Sequence, residues 1–134
     1  MLISSEAEMM SLGEKLASEL ATPCVIELIG DVGAGKTTFT RGLAKGLGVK
    51  AELSSPSFTI SREYAGEKAD LIHYDFSRIA DPGLMAEDLA DAISRENAVV
   101  VVEWGESIQD ILPANHKVVE IKYIDENTRE VNGK

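Results

Sequence analysis

Gly30-Asp31-Val32-Gly33-Ala34-Gly35-Lys36-Thr37, followed by Thr38 and Phe39, decides how this chain is read. The stretch fits G-x-x-x-x-G-K-[ST] without a mismatch, the pattern of a loop whose backbone N–H groups turn inward around a polyphosphate. Its flanks agree. Cys24-Val25-Ile26-Glu27-Leu28-Ile29 is an apolar run of strand length, and residues 36–47 have helical character. Strand, glycine loop and helix in that order is the context this motif needs, because the helix N-terminus adds partial positive charge to the inward N–H groups. A glycine-rich turn that matches by coincidence is the competing reading, and the flanks together with the additional Gly33 speak against it.

Within such a loop Lys36 is expected to reach the β- and γ-phosphates, and the Thr37 hydroxyl to sit on a magnesium ion. A carboxylate on the metal side is then expected at the end of a neighbouring buried strand. Glu103 stands there, after Val99-Val100-Val101-Val102. A glutamate in that place holds magnesium directly or through water, or orients the attacking water. Thr38 either contacts the α-phosphate or simply starts the helix. Asp31 either orients water, pairs with a cation or is a solvated loop carboxylate. Asp75 falls near the end of another strand, with His73 two residues earlier on the same face. A His–Asp pair of this kind is more often structural than catalytic. Arg78 is a candidate for neutralising phosphate charge, against the commoner role of a surface arginine.

Working outward, Ser5-Glu6-Ala7-Glu8 is a capping box, and Met9, Leu12, Leu16 and Leu20 follow at helical spacing until Thr22-Pro23. Beyond the loop helix, Phe58, Ile60 and Tyr64 alternate with polar residues over a predicted strand, 58–64. Residues 65–68 form a hairpin loop and 70–76 the returning strand. Asp81-Pro82-Gly83 turns the chain into a helix over 84–95, and 98–102 is a second buried strand. A turn or short helix precedes Leu112-Pro113. A strand over 116–124 and a terminal strand from Arg129 complete the pattern. The expected architecture is α/β: a three-layer, P-loop NTPase-like fold with a mixed sheet and an inserted β-hairpin, residues 1–134 forming a single ATPase domain.

Composition bounds the function. The chain has 134 residues and a formal charge of −10, from 13 basic and 23 acidic residues. A protein gripping nucleic acid alone over a broad surface would be basic, so a partner is expected to hold most of any RNA. Mean hydropathy is −0.04, and no apolar run approaches the roughly 20 residues that span a bilayer. The start lacks an apolar signal core, and Cys24 is the single cysteine, which fits a reducing cytoplasm and excludes a disulfide framework. Arg41 and Lys45 on the loop helix are candidates for contact with a partner or with RNA, against the more common solvated face. The chain lacks an Asn-Lys-x-Asp guanine-reading box and an arginine-rich lid after Asp81, absences that favour ATP hydrolysis over GTP hydrolysis or transfer to a metabolite.

With these residues assembled, the chain resembles the bacterial TsaE ATPases, formerly YjeE, of tRNA threonylcarbamoyladenosine biosynthesis. The resemblance covers nearly the whole chain. It rests on four ordered motifs: Gly-Asp-Val-Gly-Ala-Gly-Lys-Thr-Thr at 30–38, Ser-Ser-Pro-Ser-Phe-Thr-Ile at 54–60, Ile-His-Tyr-Asp-Phe-Ser-Arg-Ile at 72–79 and Val-Glu-Trp-Gly-Glu at 102–106. The first is shared by many NTPases, and the other three at these separations are far more specific. The resemblance implies ATP and Mg2+ as ligands, with Gly33, Ala34, Gly35, Lys36, Thr37 and Thr38 around the phosphates. It implies that the 54–60 loop is a switch responding to the γ-phosphate, Ser57 supplying the hydroxyl where the family usually has threonine. Asp75 matches the family's aspartate, Glu103 its magnesium-side glutamate and Trp104 the tryptophan beside the site. Arg129 is carried over as an arginine approaching the nucleotide, and Glu6 as part of the segment near the adenine. Ser77 departs from the usual tyrosine. The family binds and hydrolyses ATP in a complex with TsaB and TsaD, TsaD transferring the threonylcarbamoyl group to an adenosine beside the anticodon. A small-molecule kinase and a non-hydrolysing nucleotide-gated binding module are the alternatives.

Overall fold

The computed structural model describes residues 1–30, 34–51, 61–76, 86–104, 109 and 111–133. In chain order these form β1 (Leu2–Ile3), α1 (Glu6–Glu19), β2 (Cys24–Ile29), α2 (Lys36–Gly46), β3 (Ser61–Tyr64), β4 (Asp70–Asp75), α3 (Ala86–Ile93), β5 (Ala98–Glu103), β6 (Lys117–Asp125) and β7 (Thr128–Gly133). The strands make one mixed sheet in the order β1-β7-β6-β2-β5-β4-β3. Its centre is parallel: β2 lies between β5 and β6, and β4 runs alongside β5. Antiparallel strands close both edges, β3 against β4 on one side and β7 then β1 beyond β6 on the other.

The valine run explains the centre. Every residue of β5 is buried, as expected of a parallel strand covered on both faces. Because side chains alternate across a strand, Val99 and Val101 join Phe39, Leu43 and Leu47 under α1 and α2. Val100 and Val102 join Leu89, Ala92 and Leu112 on the α3 side. The result is helix, sheet and helix in three layers. Tyr74 ties the α3 layer down, its hydroxyl donating to the Asp88 carboxylate at 3.1 Å. Arg95 clamps the same layer through Glu63 at 2.6 Å and Asp70 at 2.8 Å.

At the start of α1 the capping box forms with a displaced return contact. Ser5 Oγ accepts from the Glu8 N–H at 3.1 Å, while the Glu8 carboxylate reaches Ser4, accepting from its N–H at 3.0 Å and its hydroxyl at 2.9 Å. Those bonds hold the Glu8 carboxyl below its usual range.

The apolar stripe of α1 differs from the expected one. Met9, Gly13, Ala17 and Leu20 are buried, whereas Leu12 and Leu16 are only partly buried. Small residues face α2 because the two backbones nearly touch. A methyl group at Gly42 would stand 2.1 Å from the Met10 carbonyl oxygen, and one at Gly13 2.4 Å from that of Phe39. Gly42→Ala is therefore expected to remove about 3 kcal/mol of stability by forcing the helices apart. Urea unfolding checks this through a lower midpoint at unchanged m-value, and a loss under about 1 kcal/mol would show that the crossing relaxes freely.

Boundaries shift modestly from the expected ones. β1, pairing with Glu130 and Arg129, was not expected at all. α3 ends at Ile93, and the Ser94 and Arg95 N–H groups continue as a turn onto Ala90 and Ala92 carbonyls. β6 starts at Lys117 and β7 at Thr128, each one residue from the reading. The predicted strand residues 58–60 and the turn at 81–83 lie outside the described residues. Among the described residues no helix is long and apolar enough to cross a membrane.

Candidate functional site

The parallel register brings the ends of three strands level. Leu28 on β2 and Asp75 on β4 both stand opposite Glu103, the last residue of β5. Gly30 follows β2 directly, so the chain leaving β2 rises beside Glu103. In an open α/β sheet the crevice beyond such C-terminal strand ends is where ligands bind.

α2 starts there. Gly35 holds its N-cap position with φ of 109°, a left-handed conformation that strains any other residue. Gly35 has no side chain to cap α2, and the first turn of α2 has no acid. The N–H groups of that turn lack intrahelical partners and, with the positive end of the helix dipole, favour an anion. Lys36, the first helical residue, turns back to the strand ends. Its Nζ lies 3.4 Å from Glu103 Oε1, both side chains being 9% exposed. The same ammonium sits 4.7 Å from the centroid of the Trp104 ring, a cation–π contact. Trp104 itself has φ of 58°, and holding a non-glycine residue there costs on the order of 1 kcal/mol.

The other Glu103 oxygen, Oε2, accepts a hydrogen bond from His73 Nε2. His73 is 3% exposed. Among the described residues its Nδ1 is the buried side-chain polar atom without a partner. Below the strand ends, Glu27 forms a second buried polar group: it accepts from Gln109 Nε2 at 2.8 Å, and His116 Nε2 lies 3.2 Å from it. A cleft of about 400 Å³ opens above, lined by residues 27–30, Lys36, Trp104 and residues 120–123.

Of the residues expected at the site, Lys36, Glu103 and Trp104 are in mutual contact, and Asp75 is level with them. Ala34 is buried and Gly35 caps α2, while Thr37 is exposed and Thr38 half-buried in the first turn. Arg129 lies 4.5 Å over the Tyr123 ring and donates to the Asp125 and Thr128 carbonyls, so it reaches the rim of the cleft through Tyr123. Glu6 is exposed at the start of α1 and does not line the cleft. Asp31, Gly33, Ser57, Ser77, Arg78 and the 54–60 stretch lie outside the described residues. On α2, Arg41 is exposed and Lys45 lies 3.9 Å from Glu14, as on a solvated face.

Two residues have partners that the sequence reading did not give them. His73 was paired with Asp75 on spacing, yet its partner is Glu103 on the neighbouring strand. Glu27 had a signal in plain view, a charge in the middle of the apolar run Cys24–Ile29.

Among the described residues no group of three or more His, Cys, Asp and Glu side chains gathers as a metal cage. Magnesium does not need one, since one or two protein oxygens complemented by phosphate and water are its usual shell. Glu103 Oε1, facing Lys36, supplies one such oxygen, and Thr37 is the exposed residue after Lys36 in the first turn of α2.

A family model described as "Threonylcarbamoyl adenosine biosynthesis protein TsaE" matches residues 3–131. The Bacillus subtilis tRNA threonylcarbamoyladenosine biosynthesis protein TsaE is 40% identical over 119 residues, which is 87% of this chain and 73% of that protein. The Aquifex aeolicus protein of the same name is 38% identical over 134 residues, 97% of this chain and 91% of its own. The crystal structure of Bacillus subtilis YdiB superposes with a TM-score of 0.80 at 29% identity, covering 98% of this chain and 80% of that one.

Proposed function

The chain belongs to the TsaE family, and from that premise we propose that it is a magnesium-dependent P-loop ATPase acting with TsaB and TsaD in forming threonylcarbamoyladenosine on tRNA. The observation that carries the reading is the meeting of Lys36 and Glu103 at 3.4 Å beyond the uncapped N-terminus of α2. A loop lysine and a strand-end carboxylate that touch are the two charges a nucleoside triphosphate and its metal would separate.

ATP is held by the N–H groups at the start of α2 and by Lys36, which exchanges Glu103 and Trp104 for the β- and γ-phosphates. Thr37 and the freed Glu103 oxygen face the magnesium side, with Thr38 and the 31–33 segment completing the phosphate cradle. Bound magnesium would supply positive charge against the phosphate oxygens. Asp75, level with Glu103, is a further carboxylate for orienting water, and Ser57 supplies a hydroxyl sensing the γ-phosphate. Arg129, on the Tyr123 side of the cleft, approaches the nucleotide's base end. With a charge of −10, the protein leaves most RNA contact to its partners, in the cytoplasm.

The test is the ATPase rate with and without TsaB and TsaD. Weak hydrolysis alone, rising at least about tenfold with the pair, is expected, a gain of about 1.4 kcal/mol in transition-state stabilisation. Transfer of the γ-phosphate to a metabolite faster than hydrolysis would overturn the reading in favour of a kinase.

A further inference from the structure

We propose that His73 is a positioning residue that sets the working orientation of Glu103. The proposal rests on Glu103 being the site carboxylate. In the β4–β5 register His73 stands opposite Val101, one side-chain step behind the Asp75–Glu103 pair on the same face. From there its imidazole reaches diagonally to Glu103 and takes Oε2, leaving Oε1 to Lys36. A carboxylate only accepts, so Nε2 is the donor in this contact. One oxygen is thereby occupied and the plane of the carboxylate is fixed. What replaces the Lys36 ammonium meets a single, aimed oxygen.

The unpartnered Nδ1 argues against a packing role. Buried polar atoms are nearly always paired, and an apolar side chain would fill the same space without leaving one unmet. The gain that offsets it is the fixed geometry of Glu103, in the way outer hydrogen bonds orient carboxylates at metal sites.

His73→Gln keeps an N–H at about the reach of Nε2, His73→Asn is polar but too short, and His73→Leu removes the donor. The expected result is kcat for ATP hydrolysis reduced about 30-fold in the Leu and Asn variants, within about fivefold of wild type in Gln, and ATP affinity within about threefold throughout. Thermal unfolding should show the Leu variant folded, at a somewhat lower midpoint because a buried Glu103 oxygen loses its donor. If the Leu variant does not fold, the Gln-versus-Asn contrast decides. Equal kcat in Gln and Asn, or a folded Leu variant at wild-type kcat, overturns the proposal.

A second readout separates this inference from the hydrolytic reading. Trp104 is the only tryptophan and lies under Lys36, so its emission without nucleotide reports where Glu103 holds that lysine. The Leu and Asn variants should shift that emission and the Gln variant should not. That pattern in a protein that fails to hydrolyse ATP would uphold His73 and sink the ATPase. Unchanged emission in all three would sink His73.

Discussion

Lys36→Ala should abolish ATP turnover, by at least about 10³-fold in kcat/KM, and should also weaken the fold before any nucleotide is added. The first effect follows from the loss of the Lys36 ammonium, which stands at the start of α2 beside Glu103. The second follows from what the substitution leaves behind. Glu103 is 7% exposed, and without Lys36 its carboxylate keeps, among the described residues, the His73 bond. Removing one member of a buried ion pair destabilises by about 3 kcal/mol, chiefly because the remaining charge is stranded. Adding Glu103→Gln to Lys36→Ala should therefore restore stability while leaving turnover abolished. Two independent effects would instead add, so the unfolding free energies of the two single variants and the double variant decide the point. Normal threonylcarbamoyladenosine in cells whose only copy is Lys36→Ala would refute the functional reading outright.

What the sequence made legible and what it hid follow from the range of each signal. The G-x-x-x-x-G-K-[ST] pattern is written in consecutive residues, and its glycines, lysine and hydroxyl can be read without a partner. Glu103 was legible because a charge closing a run of valines marks the end of a buried strand. His73 was visible as a residue but not as a partner of Glu103, because that contact requires β4 to lie parallel to β5 in one register. Nothing local to either strand states the register. The pairing of β1 with residues 129 and 130 is hidden for the same reason, and two residues are too few for any periodicity. In the sequence Gly13 and Gly42 are single glycines within helical stretches, with no local sign of a contact. Only the crossing of α1 with α2 turns them into its tightest contacts.

Glu103→Gln separates binding from hydrolysis most sharply. The substitution keeps shape and an oxygen that accepts from His73, while removing the charge that holds Lys36. ATP must draw Lys36 away from Glu103 to engage it, so neutralising Glu103 should leave ATP affinity intact or somewhat tighter. Hydrolysis should fall by about 10²–10³-fold, the usual loss when a preorganised group at developing charge is removed. The measurement is paired: nucleotide titration followed by Trp104 emission for binding, and phosphate release for turnover. A fall in affinity that matches the fall in rate would mean Glu103 serves ground-state binding alone. Binding retained and tRNA modification normal, in this variant and in Asp75→Asn, would mean that occupancy of the site drives the partners and hydrolysis does not. The protein would then be a nucleotide-gated module. Full binding with both phosphate release and tRNA modification lost is the outcome the Lys36–Glu103–His73 chain leads us to expect.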